Sequence, residues 1–157
     1  MKTATQKALM IFATLIYAST TPAAYPILEL YEKNGALLCA FTMTSGTQYT
    51  SNPPERATCP RLYIPIEYLV IANPKEGITF TLGDSDWASE KCDTQGTPQY
   101  AVADLANGEA TPRFPTNAGV QMPANTEIVA GIRNVRTATK MVDVKATLCV
   151  VIVNPNQ

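Results

Sequence analysis

The feature that most constrains the fold is an alternating run near the C-terminal end, over residues 140–153. Every second position is apolar: Val142, Val144, Ala146, Leu148, Val150 and Ile152. This period of two is that of a β-strand, so one face of the strand is predicted to meet a core throughout. The opposite face begins with Asp143, Lys145 and Thr147 and ends with Cys149, Val151 and Val153. We therefore expect a strand that starts near a sheet edge and finishes where both of its faces are covered.

The rest of the chain consists of short apolar runs separated by turn residues. Such runs occur at 27–31, 36–44, 62–72, 78–82, 100–105 and 127–135. Asn34-Gly35 lies between the first two runs and predicts a β-hairpin. No long amphipathic helical pattern occurs between them. These observations predict an all-β fold, an antiparallel β-sandwich of about seven to nine short strands, with a small β-barrel as the alternative.

Three local predictions accompany this fold. The run 36–44 is predicted to be a central strand, because apolar side chains occupy both of its faces. Its inward residues would be Leu37, Cys39, Phe41 and Met43. Residues 84–91 could form a brief helical turn, since Asp84 can cap its start. Gly131 within the run 127–135 predicts a bulge or a close approach of another chain segment.

Residues 1–23 are predicted to be a secretory signal peptide. A basic start with Lys2 and Lys7 is followed by the apolar run ALMIFATLIYA and a small-residue end at Ala23. The apolar run is too short to span a membrane. Residues 24–157 would then form one exported β-sandwich domain, periplasmic or extracellular, with no membrane span. Loss of two lysines moves the formal net charge from −1 to −3, and the remaining basic residues are scattered, so no nucleic-acid partner is expected.

The cysteine content favours the same compartment. An even number of cysteines in an exported chain indicates disulfide bonds. The four are Cys39, Cys59, Cys92 and Cys149. Of the three possible pairings, Cys39–Cys59 with Cys92–Cys149 follows the order of synthesis, and we favour it. Cys39–Cys149 with Cys59–Cys92 remains the alternative, because sequence alone does not fix connectivity.

The residue types that the chain lacks exclude several catalytic mechanisms and metal sites. The chain has no histidine, which excludes Ser-His-Asp and Cys-His nucleophiles and histidine-ligated zinc, and it has no glycine-rich phosphate loop. We therefore expect neither enzymatic activity nor a cofactor or metal. The alternative is a hydrolase that uses two carboxylates, which glycoside cleavage requires. The acidic residues close to Trp87 are Asp84, Asp86, Glu90 and Asp93.

Calcium is a second possible use of this acidic segment. The segment does not match the EF-hand pattern, because Ser89 occupies the glycine position and Gln95 the closing glutamate position. We interpret residues 84–93 as a solvated loop anchored by its tryptophan, which leaves a looser calcium site as an alternative.

Two loops are the candidate contact surfaces. Residues 51–60 contain three prolines and would be stiff and exposed. The candidate partner-binding residues of both loops are Pro54, Glu55, Arg56, Asp84, Asp86 and Trp87. The leading interpretation is a secreted or periplasmic binding module that recognises a protein or glycan through these loops. One alternative is an inhibitor that inserts Arg56 into a hydrolase, because a stiff loop loses little entropy on binding. The other is a fimbrial or surface subunit, which the hairpin at Asn34-Gly35 disfavours because it engages the N-terminal strand.

Overall fold

The structure is a computed structural model that describes residues 25–50, 59, 64–86, 91–105, 109–144 and 148–155. Within these ranges all regular structure is β, which confirms the predicted class. The strands are β1 (Ile27–Tyr31), β2 (Leu37–Thr42), β3 (Gly46–Tyr49), β4 (Tyr68–Ala72), β5 (Thr79–Asp86), β6 (Lys91–Asp93), β7 (Gln99–Val102), β8 (Phe114–Pro115), β9 (Glu127–Val129), β10 (Ile132–Asn134) and β11 (Leu148–Val153). No helix in this part of the chain has the length and apolar character that crossing a membrane requires.

The strands form two antiparallel sheets that pack against each other as a β-sandwich. The four-stranded sheet has the order β2-β1-β4-β8. The seven-stranded sheet has the order β3-β11-β5-β7-β10-β9, and β6 pairs with the far end of β5. The predicted hairpin at Asn34-Gly35 is confirmed as the connection between β1 and β2.

The core lies between the sheets and uses the alternate residues of each strand. Its fully buried side chains include Leu28 and Leu30 of β1, Leu69 and Ile71 of β4, Phe80 and Leu82 of β5, and Leu148, Val150 and Ile152 of β11. Tyr100 lies at the centre, with its ring centroid 5.2 Å from that of Phe80 and 5.6 Å from that of Phe114. Its hydroxyl donates to the Thr116 carbonyl at 3.0 Å. Burial raises the pKa of Tyr100 to about 12, although a hydrogen bond from the Gly119 amide opposes the shift.

The C-terminal run forms a shorter strand than predicted. Among the described residues of this run, only Leu148–Val153 form a strand, which lies inside the larger sheet between β3 and β5. The predicted inward face is correct, since Leu148, Val150 and Ile152 are buried. The prediction that both faces become covered toward the end is wrong. Cys149 is buried and forms a disulfide bond there, whereas Val153 on the same face is 56% exposed.

β2 also differs from its prediction, because it is an edge strand and not a central one. The register shifts between Leu30 and Tyr31, so Tyr31 pairs with Leu37 and Leu38 is left out of the ladder. Such a bulge changes which side chains point inward. Leu37 is therefore 53% exposed, while Leu38 packs against the core.

Two further segments differ from their predictions in secondary structure. Residues 84–86 continue β5, which pairs with β6, so the expected helical turn at 84–91 does not form over its described residues. The run 127–135 is two strands, β9 and β10, which pair as a hairpin. Gly131 lies in the turn of this hairpin with a φ of 82°, a conformation that favours glycine. A Cβ there would lie 3.0 Å from the Leu105 side chain, which confirms the predicted close approach of another chain segment.

The disulfides are Cys39–Cys59 and Cys92–Cys149, with Cα–Cα distances of 5.9 and 5.8 Å, which confirms the favoured pairing. The second bond joins β6 to β11 across the intervening β5. Gly83 of β5 makes this crossing possible, since a Cβ there would lie 2.7 Å from both the Cys92 sulfur and the Asp93 carbonyl. Two disulfides are compatible with an oxidising compartment.

Candidate binding surface

The structure describes only part of the predicted contact set. Pro54, Glu55, Arg56 and Trp87 lie outside the described residues. The backbone of Asp86 ends β5, but its side chain is likewise not described. Among the predicted contact residues, only Asp84 has a described side chain.

Asp84 fastens the segment that leads toward β11. One carboxylate oxygen accepts a hydrogen bond from the Asp143 amide at 2.7 Å, and the other lies 2.8 Å from the Lys140 ammonium. Lys140 also contacts a carboxylate oxygen of Asp93 at 3.2 Å. The second oxygen of Asp93 accepts from the Gln95 amide at 3.0 Å. We call the group Asp84, Asp93 and Lys140 the ionic clasp, because it connects β5, β6 and residues 140–143.

The electrostatics of the ionic clasp fit a structural role. The hydrogen bond from the Gln95 amide, and then that from Lys140, hold the pKa of Asp93 below its ordinary value. The hydrogen bonds to Asp84 and then Asp93 raise the pKa of Lys140. Asp84 and Asp93, two of the four carboxylates named for a glycosidase or a calcium site, thus share one ammonium group. No cluster of His, Cys, Asp or Glu suited to a metal ion occurs among the described residues.

The smaller sheet presents a different group of side chains on its outer face. Tyr31 of β1 and Tyr68 of β4 are paired across the ladder, and both are half-buried. Arg113, which immediately precedes β8, lies over both rings. Its guanidinium carbon is 4.5 Å from the Tyr31 centroid and 5.7 Å from the Tyr68 centroid. We call these three residues the Tyr–Arg cluster.

Neighbouring residues hold the Tyr–Arg cluster in place. The Tyr31 hydroxyl donates to the Glu29 carboxylate at 2.8 Å, and this bond, followed by burial, raises the pKa of Tyr31. The guanidinium lies against the β1–β2 turn at Gly35, where a Cβ would be 2.8 Å from an Arg113 nitrogen. A residue larger than glycine at position 35 would therefore occupy the space that the Arg113 guanidinium fills.

Arg113 nevertheless keeps its donors available. The residue is exposed, and within the described part of the chain it makes no ion pair and no hydrogen bond. A planar guanidinium can bind a carboxylate with two parallel hydrogen bonds. Tyrosine and arginine also supply much of the binding energy at protein interfaces. The Tyr–Arg cluster is therefore chemically equipped to bind a ligand.

A shallow pocket of about 300 Å³ lies on the outer face of the other sheet. Its floor includes Thr79 and Ala101, which pair across β5 and β7, and Glu76 and Arg133 lie at its sides. None of the residues that line this pocket is aromatic, so it offers no ring surface to a ligand. We therefore regard the Tyr–Arg cluster as the stronger candidate.

Sequence reasoning did not find the Tyr–Arg cluster. Its three residues are far apart in the chain, and only the alternation of β1 indicates that Tyr31 points outward. Strand order and register bring Tyr68 and Arg113 beside it, and neither is encoded in a local motif. A characterised relative could have indicated these residues, but no protein family, curated protein or solved structure matches this chain.

Proposed function

We propose that this protein is an exported, non-catalytic binding module that recognises a protein or glycan partner. The Tyr–Arg cluster carries the proposal, because it presents two half-buried aromatic rings and, on the same sheet face, a guanidinium with no ion pair or hydrogen bond to the described residues. Its tyrosines belong to paired strands, so little conformational freedom is lost when a partner binds. The predicted signal peptide at residues 1–23 and the two disulfides support export.

The loops provide further proposed contacts. Pro54, Glu55, Arg56, Asp86 and Trp87 would widen the contact area beyond the sheet face. Asp84 would act indirectly, since its carboxylate holds residues 140–143 against β5. The chemistry of the main site favours partners with a carboxylate for Arg113 and a flat apolar surface for the two rings.

A screen of residues 24–157 against glycan arrays and extracellular proteins tests the proposal. We expect Arg113→Ala and Tyr68→Ala each to weaken a captured ligand by about tenfold or more, equivalent to about 1.4 kcal/mol. Arg113→Lys should also weaken binding, because it keeps the charge but loses the planar fork. Arg133→Ala is the matched control, since Arg133 is an exposed arginine on the opposite sheet.

The result that would contradict this assignment is a ligand bound equally well by wild type, Arg113→Ala and Tyr68→Ala. Equal losses with Arg133→Ala would instead indicate a nonspecific charge effect. In that case binding should also fall steeply as salt is added.

A second candidate function is inhibition of an extracellular or periplasmic hydrolase through loop 51–60. The Cys39–Cys59 disulfide favours it, because it ties the end of that loop to β2. The Cys59 amide also donates to the Thr50 carbonyl at 2.8 Å, which holds Cys59 close to the end of β3. A loop tethered in this way binds a protease cleft at a reduced entropy cost.

The two candidates are separable with one pair of variants. Inhibition of trypsin-like proteases should be lost in Arg56→Ala and retained in Arg113→Ala. An exported protein that inhibits none of a broad protease and lysozyme panel would eliminate this second candidate.

Assembly as a fimbrial subunit is the least supported of the three proposals. β1 forms hydrogen-bonded ladders with both β2 and β4, so this strand is committed to its own sheet. A subunit that donates an N-terminal strand needs a segment free to leave. Concentration-dependent growth of fibres would revive this proposal.

A further inference from the structure

The outer edge of β2 has properties that soluble proteins normally avoid. β2 pairs with β1 on one side, and no described strand pairs with its other side. Residues 36–45 around it contain neither a charged residue nor proline. Exposed edges are usually short, charged or interrupted by proline, because unpaired backbone groups recruit further strands.

The other sheet edges in the described ranges do have such protection. β3 is four residues long and begins with Gly46, β8 has two residues and includes Pro115, and β9 has three residues and carries Glu127. β2 has six residues, with the sequence LLCAFT. It is therefore the longest of these edges and the most apolar.

The hydrogen-bond pattern shows which groups of β2 face outward. The Met43 amide donates to the Pro26 carbonyl of the neighbouring segment at 2.8 Å. In an antiparallel ladder the backbone groups of successive residues point alternately toward and away from the partner strand. Those of Phe41 and Cys39 therefore face β1, and those of Ala40 and Thr42 face away from it. Both Ala40 and Thr42 are exposed.

We propose that β2 pairs antiparallel with β2 of a second copy, which joins two four-stranded sheets into one eight-stranded sheet. The regular part of β2 sets the register. Ala40 lies opposite Thr42 of the second copy, and Phe41 lies opposite Phe41 of the second copy, with the two-fold axis between them. This pairing forms four main-chain hydrogen bonds between Ala40 and Thr42 of the two copies, and the Thr42 carbonyl accepts two bonds, because it also accepts one from the Thr44 amide at 2.9 Å. The pairing also keeps the two faces of the sheet continuous: the side chains of Ala40 and Thr42 stay on the solvent face, and that of Phe41 stays on the core face.

The charge pattern favours a second copy over a different partner. Antiparallel pairing of a strand with itself places its own residues opposite one another, and like charges there would repel. β2 carries no charge, so its self-pairing has no such cost, and it also offers no charge that could select another partner. Self-pairing uses the same edge of both copies, so assembly closes at a two-fold dimer and does not continue into a filament.

Dimerisation has a consequence that rests on the proposed binding function. Both Tyr–Arg clusters would lie on the same face of the joined sheet. Three strand spacings separate β1 from β1 of the second copy, a lateral distance of about 14 Å. Two sites on one rigid face would strengthen attachment to a partner with repeated epitopes.

Sedimentation equilibrium of residues 24–157 tests the dimer. We expect the wild-type mass to rise from monomer toward dimer with concentration. The variant Ala40→Lys/Thr42→Lys should raise the dimer dissociation constant at least about tenfold, because lysines then oppose lysines. Thr47→Lys, which places the same charge at an exposed position of the β3 edge, should dimerise like wild type. Thermal melting checks that every variant is folded.

Charge reversal tests the register. Ala40→Glu/Thr42→Glu should be monomeric alone, whereas an equimolar mixture with the lysine variant should form heterodimers. In amide hydrogen exchange, Ala40 and Thr42 should become protected at high concentration, while Phe41 is protected at every concentration.

Three results would overturn the proposal. They are a wild type that stays monomeric up to about 1 mM, a dimer that the lysine variant retains, and protection gained elsewhere than at Ala40 and Thr42. None of them bears on ligand binding by the Tyr–Arg cluster, which a monomer can perform.

Discussion

Lys140 on the larger sheet is bonded to two carboxylates, whereas Arg113 on the smaller sheet lies over two tyrosine rings with no carboxylate partner among the described residues. Lys140 lies where β5, β6 and the segment before β11 have to be held together. Arg113 lies on a sheet face whose strands are already paired. The fold uses one cation for its own assembly and leaves the other available for a ligand.

The same difference extends to the outer faces and edges of the two sheets. In the larger sheet a disulfide crosses β5 at Gly83, and Cys149 is buried beneath it. In the smaller sheet the outer face exposes the Tyr–Arg cluster, and β2 leaves an apolar edge open. We infer that the larger sheet mainly stabilises the domain and that the smaller sheet mainly makes contacts.

The largest expected effect tests whether the two sheets unfold as one unit. Leu148→Asp places an unpaired charge in the core between them and should cost roughly 4 kcal/mol or more, enough to prevent folding. Val153→Asp on the same strand is the control and should be tolerated, because Val153 is 56% exposed. Circular dichroism and urea titration measure both. A Leu148→Asp protein that loses only one sheet would break the comparison, since the sheets would then be independent units.

The disulfides provide the next largest effect. Chain entropy assigns about 4 kcal/mol to Cys92–Cys149, which are separated by 57 residues, and about 3 kcal/mol to Cys39–Cys59, separated by 20. Replacing both Cys92 and Cys149 with alanine should therefore destabilise the protein more than replacing both Cys39 and Cys59. Free energies of unfolding from urea titration give the difference. A greater loss from the Cys39–Cys59 pair would reverse the assigned roles of the two sheets.

The alternation of β11 and β5 was sufficient to predict their inward residues, because a period of two leaves one choice of face once the core side is apolar. The turn at Asn34-Gly35 and the fold class followed from local chemistry in the same way. The position of β2 was predicted wrongly because apolar residues on both faces resemble a central strand. A bulge at Leu38 and an open edge produce the same pattern.

The binding surface was less predictable than the fold. Asp84 was predicted to belong to an acidic cluster, but its partner Lys140 is distant in sequence. The Lys140 amide donates to the Gly96 carbonyl at 2.9 Å, a long-range contact that places Lys140 near β5 and β6. Tyr31, Tyr68 and Arg113 likewise meet only through strand order. Long-range register of this kind leaves no signal in one sequence.

The third prediction concerns the ionic clasp. Asp84→Ala removes the Lys140 contact and the acceptor for the Asp143 amide, and should cost about 1 kcal/mol. Ligand binding should fall far less than in Arg113→Ala, since the clasp lies on the other sheet and acts on the loop contacts only indirectly. Urea titration and a binding assay on the same samples check both statements. Lost binding with unchanged stability would contradict the structural role of the clasp.

The clasp should also depend on pH in a defined direction. The pKa of Asp93 is lowered from 3.8, so its stabilisation is complete above that value and is lost as pH falls through the lowered pKa. The pKa of Lys140 is raised from 10.5, so its contribution is complete below that value and is lost as pH rises further. The stability difference between wild type and Lys140→Met should therefore be constant between about pH 5 and 9 and shrink in strong acid. A difference that varies across neutral pH would indicate another titrating group.

The smallest effect on stability is expected at Arg113. An exposed cation over aromatic rings contributes about 0.5–1 kcal/mol, so Arg113→Ala should lower the free energy of unfolding by no more than that. Arg113→Lys keeps the charge over the rings and should be closer still to wild type. Both variants should nevertheless weaken ligand binding, because a lysine lacks the planar pair of donors that a carboxylate requires. If Arg113→Ala destabilised the protein by clearly more than about 1 kcal/mol, Arg113 would stabilise the fold as Lys140 does, and the contrast between the two sheets would disappear.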